Sequence, residues 1–364
     1  MSARMLLVGP LADPALLTAV GIAPAAGPVE LPGRLSGGGR AGIVPDGWPV
    51  LDAQAPGSIQ AVPVLSAPRL DRYAAIMGLA PLDTPLGAVL GGVRRPGPGA
   101  SDARWQPALA AQVARDVLAL PDSVPPEEIA ARLPMIAWWA ASRRRAADER
   151  GEPLPPGPSG ADRVRVSARA QPYARYFAVE EMRLTHRLHN GGWSQPLLRA
   201  VFVSGDAVVV LPWDPVRDRV LVVDQFRAGP AARGDGQPWL LEPVAGRIDA
   251  GETPESTAMR EAREEAGLAL RRLIRAPGHY PSPGIAAEFI YGFVGVVDLP
   301  DGVATVNGLE SEGEDIRGHL FDRTELTHRA MEGLIANGPL ALLALWLDRM
   351  SRDPDWVAAA AAGG

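Results

Sequence analysis

The sequence predicts an α/β protein in which a larger domain of strands and helices, from about residue 163, follows a small mixed α+β barrel and a helical connecting region. Three observations carry this. Short apolar runs punctuated by Gly and Pro fill residues 1 to about 80. Two segments between 103 and 149 repeat apolar residues at helical intervals. From 163 onward, alternating apolar runs separated by turn residues lead into one sharply delimited helix.

At 364 residues, 47% hydrophobic and 21% charged, the chain has the composition of a soluble globular protein and is long enough for two cores. It contains no run of eighteen apolar residues. The opening MSARMLLVGPLADP carries a short apolar stretch cut by Gly9 and Pro10, unlike a signal peptide, so the expectation is a cytoplasmic protein with no membrane partner. Cysteine is absent, which excludes disulfides, thiolate metal sites and a cysteine nucleophile. The five histidines are scattered, without the spacing of a zinc site. A net charge of −6 leaves no electrostatic footprint for nucleic acid. The basic run Arg143 to Arg145 is answered by Asp148, Glu149 and Glu152, as expected of a solvated helix end.

In residues 1–80 the runs MLLVG, VELPGRL, AGIV, WPVLDA and SIQAVPVL read as strands, and APRLDRYAAIMG as a closing helix. Val8-Gly9-Pro10-Leu11 and Leu70-Asp71-Arg72-Tyr73-Ala74-Ala75 resemble two motifs of the gamma-glutamylcyclotransferase-like fold. That resemblance implies a degenerate domain: Val8 stands where the family has Tyr, and Ala74 where it has its acid/base Glu, so a structural or binding role is expected. Residues 81–162 read as a linker and helical region, with Pro- and Gly-rich stretches at 81–100 and 151–162 around two helical segments. Pro134 is expected to break or kink the second segment. Trp138 and Trp139 read either as an aromatic site or as packing between domains, the second preferred.

Beyond 163, LLRAVFVSGDAVVVLPWDPVRDRVLVVDQFR alternates apolar runs with turn signals at Ser204-Gly205-Asp206 and at Asp214 through Asp218. QPWLLEPVAG, LRRLIRAPGHY and FIYGFVGVVDL continue the sheet, and GPLALLALWLDRM reads as an amphipathic helix.

Between these lies Gly246 to Leu268, GRIDAGETPESTAMREAREEAGL. Thr253 suits an N-cap, Pro254 the first helical position, Glu255 the positive end of the dipole and Gly267 a left-handed stop, so a helix is predicted over roughly 254 to 266. Glu261, Glu264 and Glu265 then project from one face, while Ala258, Ala262 and Ala266 give another face small enough to lie against a sheet. Like charges so placed repel unless neutralised, and hard divalent cations take such oxygen ligands. The alternative, an exposed acidic helix stabilised by Arg260 and Arg263, does not account for Gly246, Glu252 and Gly267 at fixed spacings.

With those residues the chain resembles the Nudix hydrolases, whose box G-x5-E-x7-R-E-U-x-E-E-x-G-U is filled at every fixed position. The resemblance implies an α/β/α sandwich over 163–350, followed by a tail at 351–364, and metal-dependent hydrolysis of a nucleoside diphosphate linked to another group. Asp224-Gln225-Phe226-Arg227, the run Trp239 to Gly246, Pro281-Ser282-Pro283-Gly284 with Glu288, and the loop Glu310 to Arg317 look like the ADP-ribose pyrophosphatase branch. By that resemblance Glu261, Glu264, Glu265 and Glu314 become metal ligands together with the carbonyl of Ala245, for Mg²⁺ or equally Mn²⁺. Glu312 becomes the carboxylate that positions or deprotonates water, Arg227 a phosphate ligand and Glu288 a ribose contact. Glu252 and Arg260 are expected to pair structurally, and Glu242 either binds substrate or caps a turn. The branch's usual L-P-A-G reads Pro243-Val244-Ala245-Gly246, with the proline displaced by one place, which leaves the path of this loop open. Family analogy implies a homodimer acting on a small-molecule nucleoside diphosphate sugar. The rival readings are hydrolysis of a different nucleoside diphosphate sugar and a non-catalytic module that senses ADP-ribose.

Overall fold

The computed structural model describes residues 4–92, 104–149, 162–309 and 313–362, and the chain divides into two compact units, Met1–Ser204 and Gly205–Gly364. Both are mixtures of strands and helices, as the patterning predicts. Among the described residues no helix is long and apolar enough to cross a membrane.

The first unit contains β1 (Arg4–Val8), β2 (Val29–Pro32), β3 (Arg34–Ser36), β4 (Val50–Asp52), β5 (Ser58–Leu65), β6 (Leu79–Thr84) and β7 (Gly87–Gly92). Five of them form a sheet of order β2-β5-β1-β7-β6, with β1 antiparallel to β5 and parallel to β7, and β3 pairs β4 separately. Leu6, Val8, Leu31, Leu51, Ala61 and Val89 form a buried cluster there. The helices are α1 (Pro14–Val20), α2 (Pro68–Ile76), α3 (Pro107–Ala119), α4 (Pro126–Ala131) and α5 (Leu133–Asp148). Each has a proline in its first two positions, where the missing N–H has no helical partner to lose. The segment is broken, as one of the two expected outcomes, with Pro134 at the second position of α5. An antiparallel meander of β8 (Val164–Ala174), β9 (Ala178–His186) and β10 (Leu197–Val203) completes the unit.

Two expectations are corrected. Ala41-Gly42-Ile43-Val44 is a turn, closed by Ile43 N and Val44 N donating to the carbonyl of Arg40 at 3.1 and 3.3 Å; Ala41 and Ile43 are buried in it, and half-buried Val44 leaves it with an extended backbone. Residues 81–92, read as linker, complete β6 and form β7; β6 lies at the sheet edge, where Pro81 is tolerated. Trp139 lies under the Arg143 guanidinium at 4.5 Å, and Trp138 meets Tyr176 edge-on at 6.2 Å.

The second unit is built from β11 (Ala207–Asp214), β12 (Arg219–Phe226), β13 (Trp239–Glu242), β14 (Val244–Arg247), β15 (Arg272–His279), the two-residue β16 (Ala286–Ala287), β17 (Ile290–Val296), β18 (Val306–Asn307) and β19 (Ile316–Asp322). Its helices are α6 (Ala228–Arg233), α7 (Pro254–Ala266), α8 (Arg323–Met331), α9 (Gly338–Ser351) and α10 (Pro354–Ala362). The sheet runs β15-β17-β11-β12-β19-β18, with β11 parallel to β17. The hairpin of β11 and β12 pairs at Trp213 with Val220 and Asp214 with Arg219, after which β14 takes over beside β11 and β13 beside β12. Pro243 lies between β13 and β14, where the chain passes from one partner strand to the other.

Alternation along the central strands separates two cores. Val208, Val210, Leu221, Val223 and Phe293 pack with Ala258, Ala262 and Ala266 of α7. Val209, Leu211, Trp213, Val220, Val222 and Val294 pack with Leu326 of α8, with Leu340, Leu343, Ala344 and Leu347 of α9, and with Ala360 of α10. Trp213 stacks on Trp356 at 5.6 Å.

The turn between β11 and β12 is organised by Asp214, which is 1% exposed. One carboxylate oxygen accepts from Val216 N (2.9 Å) and Arg217 N (3.1 Å), the other from Leu299 N (3.0 Å) and Arg217 Nη1 (2.7 Å). Burial pushes its pKa up, but the bonds from Leu299, Arg217 and Val216 outweigh this and bring it to about 2. A folded pKa below the ordinary 3.8 means stabilisation that is present above 3.8 and lost as pH falls through about 2. Asp214→Ala is expected to cost about 3 kcal/mol at neutral pH by stranding buried N–H donors. Urea melts at pH 7 and near the lower limit should show the gap to wild type shrinking; an unchanged gap refutes the assignment.

Candidate active site

Helix α7 occupies the predicted span. Thr253 Oγ1 accepts from Ser256 N (3.1 Å) while Ser256 Oγ accepts from Thr253 N (3.0 Å), and Gly267 at φ +65° ends the helix. The three alanines face the sheet, which turns the edge bearing Glu261 and Glu265 toward β14. The approach is close: a Cβ on Gly246 would stand 2.0 Å from Glu261 Oε1. Glu265 is 2% exposed and accepts from Ala245 N at 2.9 Å.

Arg260 binds this acidic face together. Its Nε and Nη2 donate to the two oxygens of Glu252, both at 3.0 Å. Its Nη1 donates to Glu261 Oε1 (2.6 Å) and Glu264 Oε2 (2.9 Å). Glu252 also accepts from Thr257 Oγ1 (2.7 Å) and Asp249 N (3.3 Å), so it fixes the loop before α7 as well as the arginine.

Two further segments converge here. Glu314 Oε2 accepts from Leu309 N (3.1 Å), and Gly308 N donates to the carbonyl of Glu264 (3.4 Å), tying Gly308 and, through Leu309, Glu314 to α7. Arg227 lies just past β12 and donates through Nε (3.0 Å) and Nη2 (2.6 Å) to Glu242 Oε2. Glu242 is opposite Val223 in the pairing of β12 with β13 and hence on the α7 face of the sheet. The arginine contact is neither of the two sequence readings of Glu242, substrate ligand or turn cap, and Glu288 lies half-buried between β16 and β17. Glu312 lies outside the described residues. The sequence named Gln225 within the segment 224–227 but gave it no role; it is 6% exposed and its side-chain Nε2 has no hydrogen-bond partner among the described residues. It alternates with Val223 and so shares the α7 face; an amide amid a Val-rich strand was the available signal.

Burial raises the carboxyl of Glu265 to about 8, with Glu261 and Glu314 adding to the rise against the bond from Ala245 and the charge of Arg227. Burial likewise raises Glu261 to about 7, Arg260 opposing and Glu264 and Glu314 reinforcing it. Among the described residues no three acidic or histidine side chains already surround one point, because Glu261 and Glu264 are turned to Arg260 and Glu265 to Ala245. The donors are nevertheless all hard oxygens, and carboxyls driven toward protonation by burial, and further by one another, are short of positive charge. That chemistry fits Mg²⁺ or Mn²⁺.

Residues 203–339 match the NUDIX domain family. The chain is similar to an ADP-ribose pyrophosphatase of Escherichia coli (strain K12), 39% identical over 188 residues that cover 52% of this chain and 89% of the relative. A Haemophilus influenzae ADP-ribose pyrophosphatase is 36% identical over 177 residues, 48% of this chain and 81% of the relative. A GDP-mannose pyrophosphatase of Yersinia pestis is 29% identical over 147 residues, 40% and 70% of the two chains.

Carboxyls raised from the ordinary 4.5 to about 7 and about 8 stabilise the metal-free fold fully below 4.5 and progressively less as pH rises through those values. In chelator, thermal stability should therefore fall between about pH 5 and pH 8, and Glu265→Gln should flatten the decline. Parallel curves for the two proteins exclude Glu265 as its source.

Proposed function

The chain belongs to the Nudix family of pyrophosphatase hydrolases, and from that premise we propose that it splits the pyrophosphate of ADP-ribose into AMP and ribose 5-phosphate with Mg²⁺ or Mn²⁺. The observation that carries this reading is the buried acidic edge of α7 on the same sheet face as the Arg227–Glu242 pair. The relatives of highest identity reported above, both named ADP-ribose pyrophosphatases, support the choice of substrate.

Glu261, Glu264, Glu265 and Glu314, with the carbonyl of Ala245, would hold the divalent ion. The ion supplies charge neutralisation at the pyrophosphate and a lower pKa for water. Glu242 fixes the Arg227 guanidinium through Nε and Nη2, and Arg227 would offer Nη1 and the second N–H of Nη2 to a phosphate oxygen. Glu312, assigned by motif, takes the proton of the attacking water. As the new phosphorus–oxygen bond forms, the anhydride bond breaks and leaves two phosphomonoesters. Glu288 is assigned to a ribose hydroxyl. A nucleoside diphosphate sugar other than ADP-ribose is the second reading, and the GDP-mannose pyrophosphatase relative favours it.

Release of AMP from ADP-ribose with Mg²⁺ tests the proposal against ADP-glucose and GDP-mannose. ADP-ribose should be the best substrate by kcat/KM, and a preference for GDP-mannose overturns the assignment. Glu265→Gln and Glu312→Gln should each lower kcat by at least about 100-fold, in the range general-base and metal roles supply. Gly246→Ala, whose Cβ would displace the Glu261 carboxylate, should lower kcat on the order of 100-fold with little change in melting temperature.

A further inference from the structure

The Arg260 guanidinium is divided between two tasks. Nε and Nη2 are committed to Glu252, whose other bonds, from Thr257 and Asp249, hold it in place without any part in the acidic edge. Nη1 alone reaches Glu261 and Glu264. These are two of the carboxylates to which the ion is assigned, so the inference rests on that reading. We propose that Arg260 is the internal counter-cation of the metal-free site: Nη1 holds the place of positive charge between Glu261 and Glu264, and must leave them before they can ligate a divalent ion. Glu252 is then the anchor that keeps the guanidinium nearby.

The physical argument is charge balance. A buried carboxylate without a compensating charge is costly, and an arginine already fixed at its other edge supplies that charge with little loss of side-chain freedom. A residue that stabilises the empty site competes with the ion that fills it, because an oxygen accepting from Nη1 at 2.6 or 2.9 Å has one lone pair engaged and its negative charge already partly balanced. Arg260 is thereby a positioning residue with opposite effects on two quantities, the stability of the metal-free protein and its affinity for the ion. A simple structural brace between loop and helix would raise both.

The test uses the full chain and Mn²⁺ alone, with free ion measured by electron paramagnetic resonance and no substrate present. Arg260→Gln should bind Mn²⁺ at least about threefold more tightly than wild type, while its melting temperature in chelator falls. Weaker binding with a lower melting temperature is the brace's signature and overturns the proposal. Should Arg260→Gln fail to fold, the wild-type protein decides. Nitrogen-15 spectra of the arginine side chains under Mg²⁺ titration should show the Nη1 environment of Arg260 change while the Nε signal, held by Glu252, stays. Saturation with Mg²⁺ that leaves Nη1 unchanged refutes the exchange. Wild-type protein that binds no Mn²⁺ at all refutes instead the assignment of the metal site.

Discussion

A guanidinium surrounded by three glutamates lets the second unit keep an acidic helix edge against its sheet. Without Arg260, Glu261 and Glu264 would repel across one turn with Glu265 buried beside them, and the metal-free edge would lose stability. Those alanines matter as much as the charge. Ala258, Ala262 and Ala266 bring the helix close enough for Glu265 to accept from Ala245 N and for Glu261 to lie over Gly246. A larger residue at any of the three would lift the acidic edge away from β14.

The sheet opens to receive that edge. Because β11 and β12 pair only next to their turn, β13 and β14 can enter between them and bring Glu242 and Ala245 to the α7 side. Pro243 marks the crossing, and a residue without an N–H fits a point where the chain leaves one ladder for the next. The displaced proline that left the loop's path open is thus the junction of two short strands. Asp214 holds the closed end of the same hairpin, so the turn and the opening belong to one device.

Much of this was legible in the sequence because it is local. The limits of α7 follow from Thr253, Pro254 and Gly267, and its charged and small edges follow from helical spacing alone. The turns at 204–206 and 214–218 were carried by Gly, Asp and Pro. What could not be read is what depends on distant partners. Ala41 to Val44 is as apolar as a strand, yet its burial comes from packing in a turn. Residues 81–92 look like linker because Pro81, Gly87, Gly91 and Gly92 are turn formers, and they are strands because β1 offers a free edge to β7. At the site, the Arg260–Glu252 pair was expected from the motif, and its grip on Glu261 and on Glu264, one helical turn on, is local as well. The contact of Arg227 with Glu242 is different: it joins the end of β12 to β13, which pair only in the assembled sheet.

Two buried carboxylates separate structure from chemistry. Asp214 and Glu265 are equally hidden, at 1% and 2% exposure. Asp214 meets three backbone donors and an arginine, and sits at about 2; every lone pair has been answered by the chain itself. Glu265 meets one backbone donor among the described residues, faces two other carboxylates, and sits at about 8. Burial alone would raise both, so the difference lies in what surrounds them. A carboxylate that the fold has satisfied strengthens the fold. One that the fold buries and leaves short of positive charge weakens it, and on the proposed reading the missing charge is that of a divalent cation.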